Sequence, residues 1–340
     1  MLPACGLPAR PATTPVPPGL APPGPKATST VLPVPIKEEE MVQLAFVKTR
    51  DRAEGVKQAL HLLADNPVQN KQVLLKPNFN SAHPAPASTH PDTLCALTDE
   101  LWQMGARSIT VADRSGMGVT RRVMEDLGVF DMAAELGFDV QALDELTAQD
   151  WELVHPSDSH WKDGFPFARP CLEAEALVQT CCLKPHRFGG HFTISLKNSV
   201  GMVASVVPGA DYNYMHELHS SRYQRLLIAE INAAYTPALV VLDAVEAFIN
   251  AGPEQGARRW GEAVLAGTDR VAIDAVGLAM LRHLGYSGVA AKGSVYQQEQ
   301  IARAVELGLG ADAPQKIQLL TADPDSESYA AQIMETLLSA

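Results

Sequence analysis

The chain has 340 residues, 46% hydrophobic and 19% charged, an ordinary globular composition with enough apolar side chains for a large core. Its formal net charge of -12 argues against general nucleic-acid binding, which needs a basic face, and no apolar run approaches the ~18 residues that suggest a membrane span. The five cysteines, Cys5, Cys95, Cys171, Cys181 and Cys182, include no C-x-x-C pair, so neither a zinc ribbon nor a ferredoxin-type iron–sulfur cluster is encoded.

Residues 1–40 are rich in Pro, Ala, Thr and Gly with almost no aliphatic periodicity, and read as a disordered, extended linker. Leu2-Pro3-Ala4-Cys5-Gly6 resembles the end of a bacterial lipoprotein signal, whose cysteine is lipidated after cleavage. A Pro-rich tether directly after Cys5 is what such an anchor needs. Two readings stay open: an extracytoplasmic, membrane-anchored lipoprotein, and a cytoplasmic protein with a disordered tail.

The ordered domain is expected over residues 41–340, with two lobes an open alternative. Val42 to Val47 reads as a strand, and Asp51 to Ala64 has helical spacing. Gln72 to Leu75 is a strand ending in Lys76-Pro77-Asn78-Phe79-Asn80. Pro91 opens a helix that Gly105 stops. Ser108 to Ala112 is a strand leading into Asp113-Arg114-Ser115-Gly116, and Thr120 to Leu127 is helical. Phe138 to Phe167 carries short strands and turn residues. Ala174 to Leu183 is a buried strand in which Cys181 and Cys182 point to opposite faces as packed thiols. Ser221 to Tyr235 reads as a helix, Pro237 to Asp243 and Gly261 to Gly267 as strands, and Asp269 to Leu284 as a buried helix capped by Asp269. Gln297 to Gly308 and Ser328 to Ser339 are helices around a strand at Lys316 to Leu320. Alternating strands and helices imply an α/β fold with a mostly parallel sheet flanked by helices.

The chemistry concentrates in Lys184-Pro-His186-Arg-Phe-Gly-Gly-His191-Phe-Thr193-Ile-Ser195-Leu-Lys197-Asn198-Ser-Val-Gly201. This segment joins lysines, histidines, hydroxyls and an asparagine around a Gly-Gly pair and contains no Asp or Glu. A cationic segment in an acidic chain is a natural place for an anionic ligand, and neutral imidazoles there also allow a divalent metal. Lys76, Asn78, Asn80, Asp113, Ser115, Lys184, His186 and Asp243 all fall just after expected strands. If those strands are parallel, their carboxyl ends share one rim and the residues converge.

The expected roles follow from the residue types. Lys184 and His186 form the catalytic pair, with His191 as a second acid–base group or ligand, since a cation beside an imidazole keeps it neutral. Lys76, Asn78, Asp113, Ser115, Lys197 and Asn198 bind substrate. His216 and His219 lie three apart around Glu217, one residue short of the metalloprotease H-E-x-x-H spacing, and are a candidate metal pair with Asp211. Asp274, one turn inside its helix, needs a partner, for which a lysine of the central segment is a candidate.

Several blocks then coincide in order. They are Lys76-Pro77-Asn78; Asp113 with Ser115-Gly116; Lys184-x-His186 leading to Thr193, Leu196-Lys197-Asn198 and Gly201; Asp243 with Glu246-Ala-Phe-x-x-Ala-Gly252-Pro253-x-x-Gly256; and Asp269-x-Val-Ala-x-Asp274-Ala275. Together they resemble the domain-of-unknown-function family 362 from about Val42 to Leu319. The resemblance implies a fold and a site but no settled reaction. Many members are exported and some carry ferredoxin-type clusters, whose motif is missing from this chain. An architectural similarity to the lactate racemase family, whose cofactor is a nickel pincer held by His and Lys, is at fold level and transfers no reaction. The expected function is an enzyme acting on a small anionic compound through a Lys/His site, with metal assistance as an option. The alternatives are a lipid-anchored anion- or metal-binding protein and a redox accessory protein without its own cluster.

Overall fold

The computed structural model describes residues 41–339, so the readings of the Pro-rich segment and of Cys5 lie outside the described residues. The described residues fall in one compact unit. Its elements in order are β1 (Val42–Lys48), α1 (Arg52–Leu62), β2 (Gln72–Lys76), α2 (Pro91–Gln103), β3 (Ser108–Asp113), α3 (Thr120–Asp126), α4 (Val129–Leu136) and β4 (Asp139–Ala142). They continue with β5 (Trp151–Val154), β6 (Phe165–Ala168), α5 (Arg169–Glu173), β7 (Ala176–His186), β8 (His191–Thr193), α6 (Ser195–Asn198), α7 (Tyr214–Ser220) and α8 (Gln224–Ile231). The last are β9 (Leu239–Phe248), β10 (Arg258–Gly267), α9 (Arg270–His283), α10 (Glu299–Glu306), β11 (Ile317–Leu320) and α11 (Pro324–Leu338).

The main sheet runs β11-β1-β10-β9-β7-β2-β3-β4. It is parallel at β11/β1, β9/β7, β7/β2, β2/β3 and β3/β4, and antiparallel where β10 meets β1 and β9. Two-residue periodicity divides each strand between two layers. In β1, Leu44 and Phe46 join the core under α9 and α11, whereas Ala45 and Val47 face the core under α1 and α2. A third cluster packs β5, β6 and α8 against Leu74, Ala112 and Leu177. Cys181 lies in the α9-side core and Cys182 bonds toward Thr89; burial pushes the Cys182 thiol up to about 11. Among the described residues, no helix is long and apolar enough to cross a membrane.

Helix ends follow capping chemistry. Asp51, Asn213, Asp269 and Asp323 each accept a bond from an amide of the first turn that follows. Several boundaries differ from the sequence reading: β10 starts earlier, at Arg258, and α11 at Pro324. Extended backbone at Ser221 (ψ 137°) separates α7 from α8, so the expected 221–235 helix is shorter. β7 runs on through His186 because β8 folds back and pairs with its end, placing Lys184 opposite Thr193 and His186 opposite His191. β9 continues to Phe248 because β10 supplies antiparallel partners that far, which leaves Asp243 inside a strand rather than at its end.

Candidate functional site

The order β7-β2-β3 sets three parallel carboxyl ends side by side, bringing Lys184, Lys76 and Asp113 to one rim. A cleft of about 520 Å³ opens there, lined by Lys76, Asn78, Asp113, Ser115, Lys184, His186, Lys197 and Asn198 among others. His219 also lines it, at an exposed position of α7, while His191 and His216 do not. His191 sits at the far end of the β7–β8 hairpin with a positive φ of 61°. His216 leads α7, its amide capped by Asn213.

Fully buried polar groups must pair, and most of these do. Lys76 Nζ meets Asp113 Oδ1 at 2.7 Å, the carbonyl of Pro77 at 2.6 Å and Asn198 Oδ1 at 3.1 Å. Asp113 also accepts the amides of Phe79 and Arg114, each at 2.7 Å. Burial pushes the Asp113 carboxyl up, and Lys76 and these amides oppose it. Asn78 donates to Asn198 Oδ1 at 3.3 Å and accepts from Lys184 Nζ at 2.7 Å, and Lys184 also donates to the carbonyl of Ala87. The asparagines therefore hold lysines in place. Ser115 Oγ donates to the carbonyl of Phe79 at 2.6 Å, which ties two loops together.

Lys197 differs from these. Its side chain is about nine-tenths buried, lines the cleft, and has no hydrogen-bond partner among the described residues. Burial lowers its ammonium to about 8, with Lys184 and Arg114 pushing the same way. His186, 7% exposed, has its Nδ1 buried without a partner, and Thr193 Oγ1 in the same cleft is likewise unpaired. Burial, then the charge of Lys197, holds the His186 imidazole far below its ordinary range and hence neutral.

Two glycines permit this crowding. A Cβ at Gly201 would stand 2.3 Å from Asp113 Oδ1 and 2.8 Å from Lys76 Cε. One at Gly190 would stand 2.9 Å from both His186 Nδ1 and Lys197 Cε. A Gly190→Ala substitution is expected to push these two side chains apart. By the ordinary cost of overpacking it should lower stability by about 1–3 kcal/mol, and ligand affinity in the cleft should fall at least about tenfold. Urea denaturation and titration calorimetry check this; unchanged affinity would show that the placement of this pair does not matter.

Asp274 does not pair with a lysine. It reaches from α9 to the start of α6, accepting Ser195 Oγ at 2.6 Å and the amides of Ser195 and Leu196 at 2.8 and 3.2 Å. The carboxylate thereby fixes the short helix that carries Lys197 and Asn198. Asp243 also lies outside the cleft lining, bound to Arg52 Nε at 2.8 Å and Thr93 Oγ1 at 2.7 Å.

Arg114 is a cleft residue that the sequence reading passed over. It is buried, and its guanidinium donates to the carbonyls of Val203, Ser115 and Val200 at 2.7 to 3.0 Å. Its position directly after a strand was the available signal. Lys76, Arg114, Lys184 and Lys197 face Asp113 and Asp144 in the lining, so cations outnumber carboxylates. Among the described residues, no group of three or more His, Cys, Asp or Glu side chains is gathered as a metal-ligand set.

A mostly parallel α/β sheet with a cationic cleft at its strand ends defines the architecture. The chain belongs to the domain of unknown function family DUF362, whose sequence model matches residues 73–279. No curated protein matches the sequence. Among solved structures, that of the lactate racemase apoprotein from Thermoanaerobacterium thermosaccharolyticum is similar, with a TM-score of 0.43 and 15% identity. The match covers 68% of this chain and 56% of that chain, and a likeness this slight transfers no chemistry.

Proposed function

We propose that the protein is an enzyme that binds a small carboxylate- or phosphate-bearing compound in the strand-end cleft and moves a proton on it. The observation that carries this reading is the ammonium of the largely buried Lys197, which has no hydrogen-bond partner among the described residues and shares the cleft with His186 Nδ1 and Thr193 Oγ1, both buried without partners. Unmade hydrogen bonds of buried groups are costly, and a bound anion would supply the missing acceptor for Lys197 and Thr193. Lys184 and Arg114 add positive field without offering a carboxylate that competes for the ligand. An amine that titrates near 8 can take up and release a proton at ordinary pH, and the neutral His186 ring beside it offers hydrogen bonds without adding charge.

Lys197→Met tests it. Removing a charge-assisted hydrogen bond should weaken propionate or inorganic phosphate binding about ten- to hundredfold. Stability should hold or rise, because the substitution removes a buried charge without a carboxylate partner. Binding of an inert anion to wild type should also weaken as pH rises through about 8, where the Lys197 ammonium is lost. Calorimetric titration at several pH values reads both effects; full affinity in a folded Lys197→Met protein would sink the assignment.

A further inference from the structure

The three buried lysines of the cleft are not equivalent. Lys76 is tied to Asp113, and Lys184 is held by Asn78 Oδ1 and the Ala87 carbonyl, so both amines are engaged. Lys197 alone of the three has no hydrogen-bond partner among the described residues, no carboxylate against it, and Lys184 and Arg114 as charged neighbours. An amine that is desolvated and set beside other cations is the kind that attacks carbonyl carbon. Asp274 fixes the backbone that carries it, and Gly190 lets its side chain pass close to His186. From this arrangement, and resting on the anion-binding reading above, we infer that Lys197 is a nucleophile that forms an imine with an anionic carbonyl compound of the 2-oxo acid class.

The step balances without an oxidant or reductant. The Lys197 nitrogen lone pair attacks the carbonyl carbon and forms the C–N bond, while the carbonyl oxygen takes a proton and becomes a hydroxyl. The nitrogen gives up its extra proton to solvent water, and the proton taken up by the carbonyl oxygen comes from the same solvent. Loss of that hydroxyl as water leaves the C=N bond, and hydrolysis reverses the sequence. The carboxylate of the same molecule lies in the field of Lys184 and Arg114, with Thr193 Oγ1 free to donate to it. Free amine at Lys197 grows as pH approaches 8, so imine formation should speed up over the range in which inert-anion binding begins to weaken.

The test is reductive trapping. The full chain is incubated with pyruvate and cyanoborohydride, and intact mass and peptide mapping locate the product. The expected result is one reduced-imine adduct per chain at Lys197, slowed by excess propionate and lost in Lys197→Arg, whose guanidinium keeps the charge and forms no imine under these conditions. Propionate and pyruvate binding that depends on Lys197, with no adduct there or with adducts spread over exposed lysines, would overturn the inference and leave the anion-binding reading standing. If neither probe binds, the anion-binding reading fails with it.

Discussion

Replacing Asp113 by Ala is expected to lower stability by about 3–5 kcal/mol, because it strands a buried ammonium. Lys76 is 1% exposed, and its only carboxylate partner among the described residues is Asp113, itself 1% exposed. The same carboxylate accepts the amides of Phe79 and Arg114, so two strand-end loops lose their fastening as well. The double substitution Lys76→Met with Asp113→Leu should recover much of the loss, since well-packed apolar replacements of buried pairs are often close to neutral. Urea denaturation of the two single variants and the double measures the coupling. A single-variant loss below about 1 kcal/mol would mean that water or another group compensates Lys76 and that the rim is looser than described.

The second large effect is a pH dependence centred on Asp274. Burial raises its carboxyl from an ordinary 3.8 to about 7, opposed by Ser195 and the amide of Leu196. The sign follows from linkage. Below about 4 the group is protonated in both folded and unfolded chains. Between about 4 and 7 the unfolded chain releases the proton and the folded one keeps it, so stability falls as pH rises. Above 7 both are ionised and the loss is complete, on the order of 4 kcal/mol for a shift of this size. Asp274→Asn keeps an acceptor for Ser195 and lacks the titration. The stability of wild type minus that of the variant should therefore decline from pH 4 to 7 and then level off. A difference that is flat across that window, or that rises with pH, would contradict the account.

The fold was legible because its signals are local. The alternation in Val42–Val47, the apolar spacing of Asp269–Leu284 and the Pro and Gly stops of the second helix each depend on near neighbours in sequence, and each appears close to where it was read. What was misread depends on partners far along the chain. β9 passes beyond Asp243 only because β10 pairs with it, and β7 reaches His186 only because β8 turns back. The short β4, β5 and β6 carry too few residues to show a period.

The candidate site divides in the same way. Strand-end position drew attention to Lys76, Asn78, Asp113 and Lys184, and the acid-free segment to Lys197, and the fold gathers them in one cleft. Sequence gave no means of ranking the lysines, because what separates Lys197 from Lys76 and Lys184 is the absence of a partner, a three-dimensional property. Spacing also drew attention to His191 and His216, but the hairpin and the start of α7 hold them outside the cleft lining. Arg114 was passed over although it directly follows a strand, and Asp274 turns out to anchor the backbone of α6 rather than a lysine.

The central claim is that Lys197 meets the anion, and a crystal structure grown with a ring-brominated benzoate tests it most directly, since the halogen marks the molecule in anomalous maps and an aryl bromide does not alkylate amines. The account predicts the carboxylate in the strand-end cleft with an oxygen about 2.7–2.9 Å from Lys197 Nζ, the distance of a charge-assisted hydrogen bond. A carboxylate bound elsewhere on the protein while the cleft holds only water would contradict it.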